Sequence, residues 1–374
     1  VWGWILGVFA LGYALCQVPA GMLVDRYGPR RVLSGVVAFW SVFTAATGAA
    51  WNFVSMLIFR ALFGAGEAGA FPGASRAYFS WIPSRERGLA QGITFSGSRI
   101  GAAVTMPLMP LVIEALGWRG TFFLLGAVGI GWSVFWWLWF RDNPEEHPTI
   151  SEAEKEYIIA HRQQPSQSAS RSLSASVLFG SANMWLAMLQ YICSNFTFYF
   201  AIGWSFPYVK DTFKLTGFEA GVWAGIPLLC GALGNWVSGT LVDRLYRLGF
   251  VRGSRRFPAA LGFVLAAAGI AGTAGAHTAE MYCLWLSIAI FGADMTLSPS
   301  WAFSIDIGRE HAGTVSGTMN MAGNLAAFLT MLAFPYLEAW THSHTPYFYL
   351  AAVLNLAAAG MWYLTRPDKP LEEF

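Results

Sequence analysis

This sequence predicts an all-α, polytopic membrane protein made of two matched halves, and three observations carry that prediction. Of its 374 residues 55% are apolar and only 12% charged, against about 25% charged in ordinary soluble domains. Eleven apolar runs of 18 residues or more recur along the chain, each long enough to cross a hydrocarbon layer of about 30 Å. The sequence also repeats itself.

The runs cover roughly 1–23, 32–51, 53–81, 88–116 and 119–140 before a polar linker, then 182–207, 219–242, 257–276, 280–304, 312–340 and 346–364 after it. GMLVDR at 21–26 returns as GTLVDR at 239–244, an offset of 218, and TMPLMP at 105–110 returns as TMLAFP at 330–335, an offset of 225. Arg30–Arg31 returns as Arg255–Arg256 at the longer offset, which puts the seven extra residues in the loop between Arg244 and Arg255. Two halves in the same orientation follow, with boundaries at 1–141 and 182–374 and a cytoplasmic linker at 142–181. Five runs precede the linker and six follow it, and the repeat aligns the first run with the second of the later half. The expectation is a twelve-helix architecture whose first helix is missing from this chain.

In the linker, Thr149 or Ser151 with Glu152 or Glu154 forms a capping-box pattern, which predicts a short amphipathic helix over about 152–162. A flexible Ser/Gln-rich stretch follows. Lys and Arg divide sharply between the two sides: 17 fall on the side of the DRYGPRR loop, three in the opposite loops, and Arg60, Arg76 and Arg99 within spans. The positive-inside rule makes the DRYGPRR side cytoplasmic. Trp136, Trp137 and Trp139 before Arg141 read as an interfacial belt. Cys16, Cys193, Cys230 and Cys283 lie inside apolar runs without a CxxC pair, so they read as packing residues rather than a disulfide or metal framework.

Ionisable groups inside a membrane are costly and mark pathways. Glu67 lies roughly 22 Å along its helix from Asn52, near mid-membrane, where a carboxyl poised to load and unload a proton is useful. The plainer reading is a permanently paired Glu. Arg60, seven residues earlier, shares Glu67's face and either grips a substrate carboxylate or balances Glu67. Arg99 sits at similar depth, and its counterpart at offset 225 is Asn324. Its guanidinium suits two-pronged carboxylate binding, and the competing reading is an interhelical pair with Asp294 or another acid. Asp294 is a second protonation site or an arginine's partner. Ser298, Ser300 and Asn320 offer neutral hydrogen bonds to substrate hydroxyls, or simple helix–helix packing. Arg76, nine residues from Glu67, points toward the cytoplasmic side, near Asp25.

GMLVDRYGPRR resembles the loop signature of the major facilitator superfamily, and FRALFGAGEAGAFPGA, SPSWAFSIDI, SGTMNMAGNLAAF and ISEAEKEYI resemble its anion:cation symporter branch, which includes sugar-acid and hexuronate transporters, sialin and vesicular glutamate transporters. The resemblance implies the major facilitator fold, two six-helix bundles rocking around a central cavity and importing a small organic anion with protons. It implies gate roles for Gly21, Asp25, Arg26, Gly28, Arg30, Arg76, Asp243 and Arg244, and places Tyr13 and Gln17 beside the cavity. Ser98 stands where several relatives carry Gln, which implies a more anionic ligand here. Sugar acids, aldarates, tartrate-like and aromatic carboxylates all fit.

No HExxH, G-x-S-x-G or Walker-type GxxxxGK occurs and no His or Cys cluster, so no catalytic residue, metal or cofactor is expected. The expected partners are a carboxylate substrate, protons and the lipid bilayer, with no nucleic acid. The expected setting is a bacterial inner (plasma) membrane, with the protein working as a monomer. Sodium coupling, anion exchange and a non-transporting sensor on the same scaffold remain the alternatives.

Overall fold

The computed structural model describes residues 2–164 and 173–371, and among these every regular element is a helix. Each apolar run overlaps one. The earlier part of the chain builds α1 (Trp2–Tyr27), α2 (Pro29–Gly48), α3 (Phe53–Glu67), α4 (Ala70–Trp81) and α5 (Arg87–Trp139), the last interrupted at Gly117 (φ 69°, ψ 164°). The linker holds α6 (Glu152–His161) and α7 (Ala175–Gly180). Then come α8 (Ala182–Gly203), α9 (Ser205–Phe213), α10 (Gly217–Arg247), α11 (Val251–Thr273), α12 (Ala279–Met295), α13 (Leu297–Gly308), α14 (Ala312–Thr341) and α15 (Thr345–Leu364). Among the described residues eight segments are long and apolar enough to cross a bilayer; one, Ala279–Thr341, has 63 residues, more than one crossing needs.

Local chemistry explains the boundaries. Gly28 adopts φ 82° and Pro29 opens α2, the pairing a tight turn into a helix requires. Asn52 and Ser55 cap α3 reciprocally, and Ser151 caps α6 by accepting from the Glu154 N–H. The expected linker helix is thus present, while the Ser/Gln-rich stretch at 165–172 lies outside the described residues. The extra residues between Arg244 and Arg255 are mostly helical rather than loop: α10 runs on to Arg247 and α11 starts at Val251.

Two spans read from the sequence as continuous are broken. One divides at Ala68–Gly69, just before Pro72, and the other at Thr296, just before Pro299. Proline offers no N–H to the carbonyl four residues earlier. The Met295 carbonyl so released accepts the Ser238 hydroxyl instead. Glu67 ends the first broken helix and Asp294 lies in the last turn before the second break.

The earlier and later parts of the chain meet along two crossings, α1 against α14 and α5 against α10. The crossings are one contact made twice. A methyl placed on Gly21 would fall 2.3 Å from the Gly313 carbonyl oxygen, and one on Gly239 would fall 2.6 Å from that of Gly88. A turn further in, Gly317 abuts the Gln17 carbonyl and Gly92 abuts that of Asn235, at 2.7 and 2.6 Å by the same measure. Every partner corresponds under the repeat. Small residues let the backbones approach this closely, and residues 297–308 and 312–320 on the facing helices are all buried.

Gly21→Val should therefore wedge α1 from α14. A loss of roughly 1–3 kcal/mol is expected from overpacking, read as a lower Tm in detergent, with increased thiol labelling of a cysteine introduced at Ser316.

Candidate functional site

At the basic end of the bundle, where the DRYGPRR loop lies, helix N-termini meet carboxylates. Asp25 accepts from the Gly313 N–H (2.9 Å), the Thr314 N–H (2.7 Å) and the Thr314 hydroxyl at the start of α14. Asp243 does the same at the start of α5, accepting from the N–H groups of Gly88 (2.8 Å) and Leu89 (2.9 Å). Unpaired N–H groups and the helix dipole favour an anion there. Each carboxylate belongs to one half of the chain and each helix to the other, so the two caps lock the halves together at this end.

Around these caps, the Arg30 N–H donates to Asp142 (2.7 Å) and its Nε to the Trp137 carbonyl (2.9 Å). A Cβ on Gly28 would strike the Asp142 carboxylate. Burial pushes the Asp142 carboxyl above its ordinary range, opposed by the Arg30 N–H and the Arg76 charge. Arg76 donates to the Ser80 hydroxyl (2.8 Å) and faces Asp25, Glu310 and Asp142. It lines a cavity of about 120 Å³ with Ser80, Arg162, Gln163 and Glu310. Arg26 and Arg244 are exposed.

A second ionic knot sits beside the caps, and the sequence reading did not single it out. Arg87 and Arg255, both fully buried, share Asp306 through bonds of 2.6 and 2.9 Å. Gln163, just beyond α6, accepts from Arg87 (2.8 Å) and donates to the Asp306 carbonyl (2.9 Å). Arg255 had a signal, as the repeat of Arg30. Asp306 had none, because an acid at a helix end reads as solvated until its neighbours are known.

The mid-depth residues form a separate cluster. Arg99 on α5 grips Asp294 on α12 with both prongs, Nε to Oδ2 at 3.0 Å and a terminal nitrogen to Oδ1 at 2.8 Å. The guanidinium carbon lies 4.0 Å from the centre of the Phe198 ring, and Asn235 adds a bond to Asp294 at 3.3 Å. Asn324, the counterpart of Arg99, accepts from Tyr199, the residue next to Phe198 (3.1 Å), and donates to the Asn320 carbonyl (2.9 Å). The two corresponding positions thus converge on adjacent residues of α8. Tyr13 interacts electrostatically with the Asn320 side chain and with Glu67, which also reaches Tyr199. Glu67 is half-buried and interacts electrostatically with Arg60, whose guanidinium lies over Phe9 and Phe63.

Other candidate residues lie off this cluster. Ser298 and Ser300 are fully buried, bonded to the Asn235 carbonyl (3.4 Å) and to Gln190 (3.1 Å). Gln17 is fully buried at the α1–α14 crossing, with neither amide atom hydrogen-bonded among the described residues. Ser98 is exposed, next to Arg99.

The sequence profile of the Major Facilitator Superfamily matches residues 1–331. The chain belongs to this superfamily. Among similar curated proteins, a probable sulfoacetate transporter of Cupriavidus necator is 31% identical over 97% of this chain and 84% of its own length. A probable galactarate/D-glucarate transporter of Escherichia coli is 30% identical over 91% of this chain and 79% of its own. Of solved structures, the superfamily transporter FucP in the outward conformation superposes with a TM-score of 0.71 at 12% identity, covering 97% and 89% of the two chains. The human organic anion transporter MFSD10 (TETRAN) gives 0.73 at 16%, covering 96% and 83%. This major facilitator protein is a transporter rather than an enzyme, integral to a membrane and crossing it several times.

Asp306→Asn should leave two buried guanidinium groups without a counter-charge. Breaking a buried pair costs about 3–5 kcal/mol, so a fall in Tm much larger than that of Arg244→Gln, whose side chain is exposed, is expected in detergent-solubilised protein.

Proposed function

We propose that this transporter imports a small organic anion by proton symport, the halves 1–141 and 182–374 rocking about the central cluster while 142–181 joins them on the cytoplasmic side. The observation that carries the reading is the charge balance of the cluster. Arg60 faces Glu67 and Arg99 pairs with Asp294, so two cations already offset two carboxylates. An anion arriving in a site of low polarity adds an uncompensated charge, which is costly unless a cation comes with it. Protonation of a cluster carboxyl supplies that cation with no further binding site. Glu67, half-buried and within electrostatic reach of Tyr13 and Tyr199, is our choice as proton carrier, with Arg60 as its counterweight.

Arg99 is the substrate's anchor in this reading, because a guanidinium fork matches a carboxylate or sulfonate. Tyr13, Tyr199, Asn320 and Asn324 supply hydrogen bonds to the rest of the ligand. The related proteins named for sulfoacetate and for galactarate/D-glucarate support an anionic substrate of that size. The caps on α14 and α5 act as the cytoplasmic gate, closed here, and Asp25, Arg76 and Asp243 hold it. Bacterial homologues favour an inner membrane as the setting.

Uptake of labelled sulfoacetate and D-glucarate into proteoliposomes tests this. An inward proton gradient should drive accumulation and a sodium gradient should not; the reverse would replace protons with sodium. Glu67→Gln should lose gradient-driven accumulation while retaining anion exchange. Arg99→Ala should lose ligand-induced thermal stabilisation, and unchanged stabilisation would remove Arg99 from the site.

A further inference from the structure

Arg99 and Asp294 do more than sit in one cluster: they hold each other with two parallel bonds, the arrangement a bound carboxylate would make. Asp294 is 2% exposed and Arg99 has 14% of its side chain open. Ser98, the preceding residue of α5, is exposed. Asp294 is thus on the closed side of the fork, and the open part of the pair lies on Arg99. We propose that Asp294 is a built-in surrogate for the substrate: an incoming anion takes its seat on Arg99, and Asp294, so displaced, takes up one proton.

The groups around Asp294 make the exchange one-for-one. α5 presents Arg99 and α10 presents the Asn235 amide. From α8, Tyr191 and Tyr199 interact with Arg99. The charged residues of α11 and α13 are engaged at the basic end: Arg255 pairs with Asp306, Arg252 with Asp368, and Arg256 donates to the Thr365 carbonyl. Once Arg99 turns to a ligand, Asn235 is the remaining donor to a carboxylate lodged against Gly231, where a methyl would lie 2.3 Å from Oδ2. A buried carboxylate deprived of its cation is strongly disfavoured. With a proton it becomes neutral and can donate to the orphaned Asn235 oxygen, which has no partner among the described residues. At the Arg99 seat charge balances: one anionic group and one proton arrive, and Arg99 keeps one counter-ion throughout. The second anionic group of a dianion such as sulfoacetate or D-glucarate is met by the proton that Glu67 carries.

The exchange also loosens the halves. Arg99 belongs to the half that carries α5 and Asp294 to the half that carries α12, so the pair ties them at mid-depth as the two caps do at the basic end. A ligand held by Arg99 removes that tie. Ligands with a planar or fork-matching anionic group, carboxylate or sulfonate, are selected because they must outcompete a resident carboxylate; a neutral sugar cannot.

This inference rests on the anion-transport reading, and its test keeps the two apart. Binding of sulfoacetate and of D-glucarate to purified full-length chain is measured by calorimetry at pH 6 and pH 8, in buffers of different ionisation enthalpy, for the wild type and Asp294→Asn. The expected result is at least tenfold tighter binding to Asp294→Asn, with wild-type affinity falling as pH rises and the variant losing one proton taken up per anion bound. Asp294→Ser, which removes the carboxylate and some of its bulk, stands in should Asn fail to fold. Binding that appears only once Asp294 is replaced also supports the surrogate. Wild-type binding with no gain in either variant, or with the same proton uptake in them, overturns the surrogate and leaves anion transport standing. No binding to any of the three proteins overturns both.

Discussion

A charge inside a low-polarity interior must have a partner, and this molecule is arranged around that constraint. Its buried arginines and carboxylates are not scattered. They fall into two layers: a knot at the basic end, with Asp25, Asp243 and Asp306 at its centre, and a mid-depth cluster of Arg60, Glu67, Arg99 and Asp294. Each of the knot's three carboxylates accepts from a backbone N–H or a guanidinium of the opposite half. Separating the halves there would expose all of these bonds together. The caps themselves are individually modest, since a hydrogen bond to a charged group is worth about 1.5–3 kcal/mol.

The repeated contact shows how one solution serves twice. Asp25 with Gly313 and Thr314, and Asp243 with Gly88 and Leu89, are the same bonds made by corresponding residues. The glycines beneath them, Gly21 on Gly313 and Gly239 on Gly88, bring the helices close enough for the carboxylates to reach. The equivalence breaks at mid-depth, where Arg99 corresponds to Asn324. That asymmetry puts a fork-shaped cation on one side of the cluster only, where Asp294 meets it.

Part of this was legible in advance. The helical content, the duplicated organisation, the linker helix and the list of intramembrane charges all follow from composition, spacing and repetition. Two readings were open at Arg99, substrate ligand or partner of Asp294, and only geometry shows that Arg99 and Asp294 are in bonding contact. Ser298 and Ser300 illustrate the opposite case. As hydroxyls near Asp294 they read equally well as ligands or as packing groups, and the fold buries both against α10 and α8. The breaks at Gly69 and Thr296 were marked by Pro72 and Pro299, yet hydropathy runs through both without interruption.

By itself the sequence determined that the chain is helical and apolar enough to cross a membrane several times, that its basic residues gather at one end and that its motifs recur, because hydropathy, charge bias and repetition are properties of order along the chain. Only the tertiary structure decided which charge meets which. Arg87, Arg255 and Asp306, or Arg99 and Asp294, are separated by 51 to 219 residues. Whether such groups meet depends on how helices cross, at the ångström scale on which a glycine admits a neighbouring backbone and a larger residue refuses it.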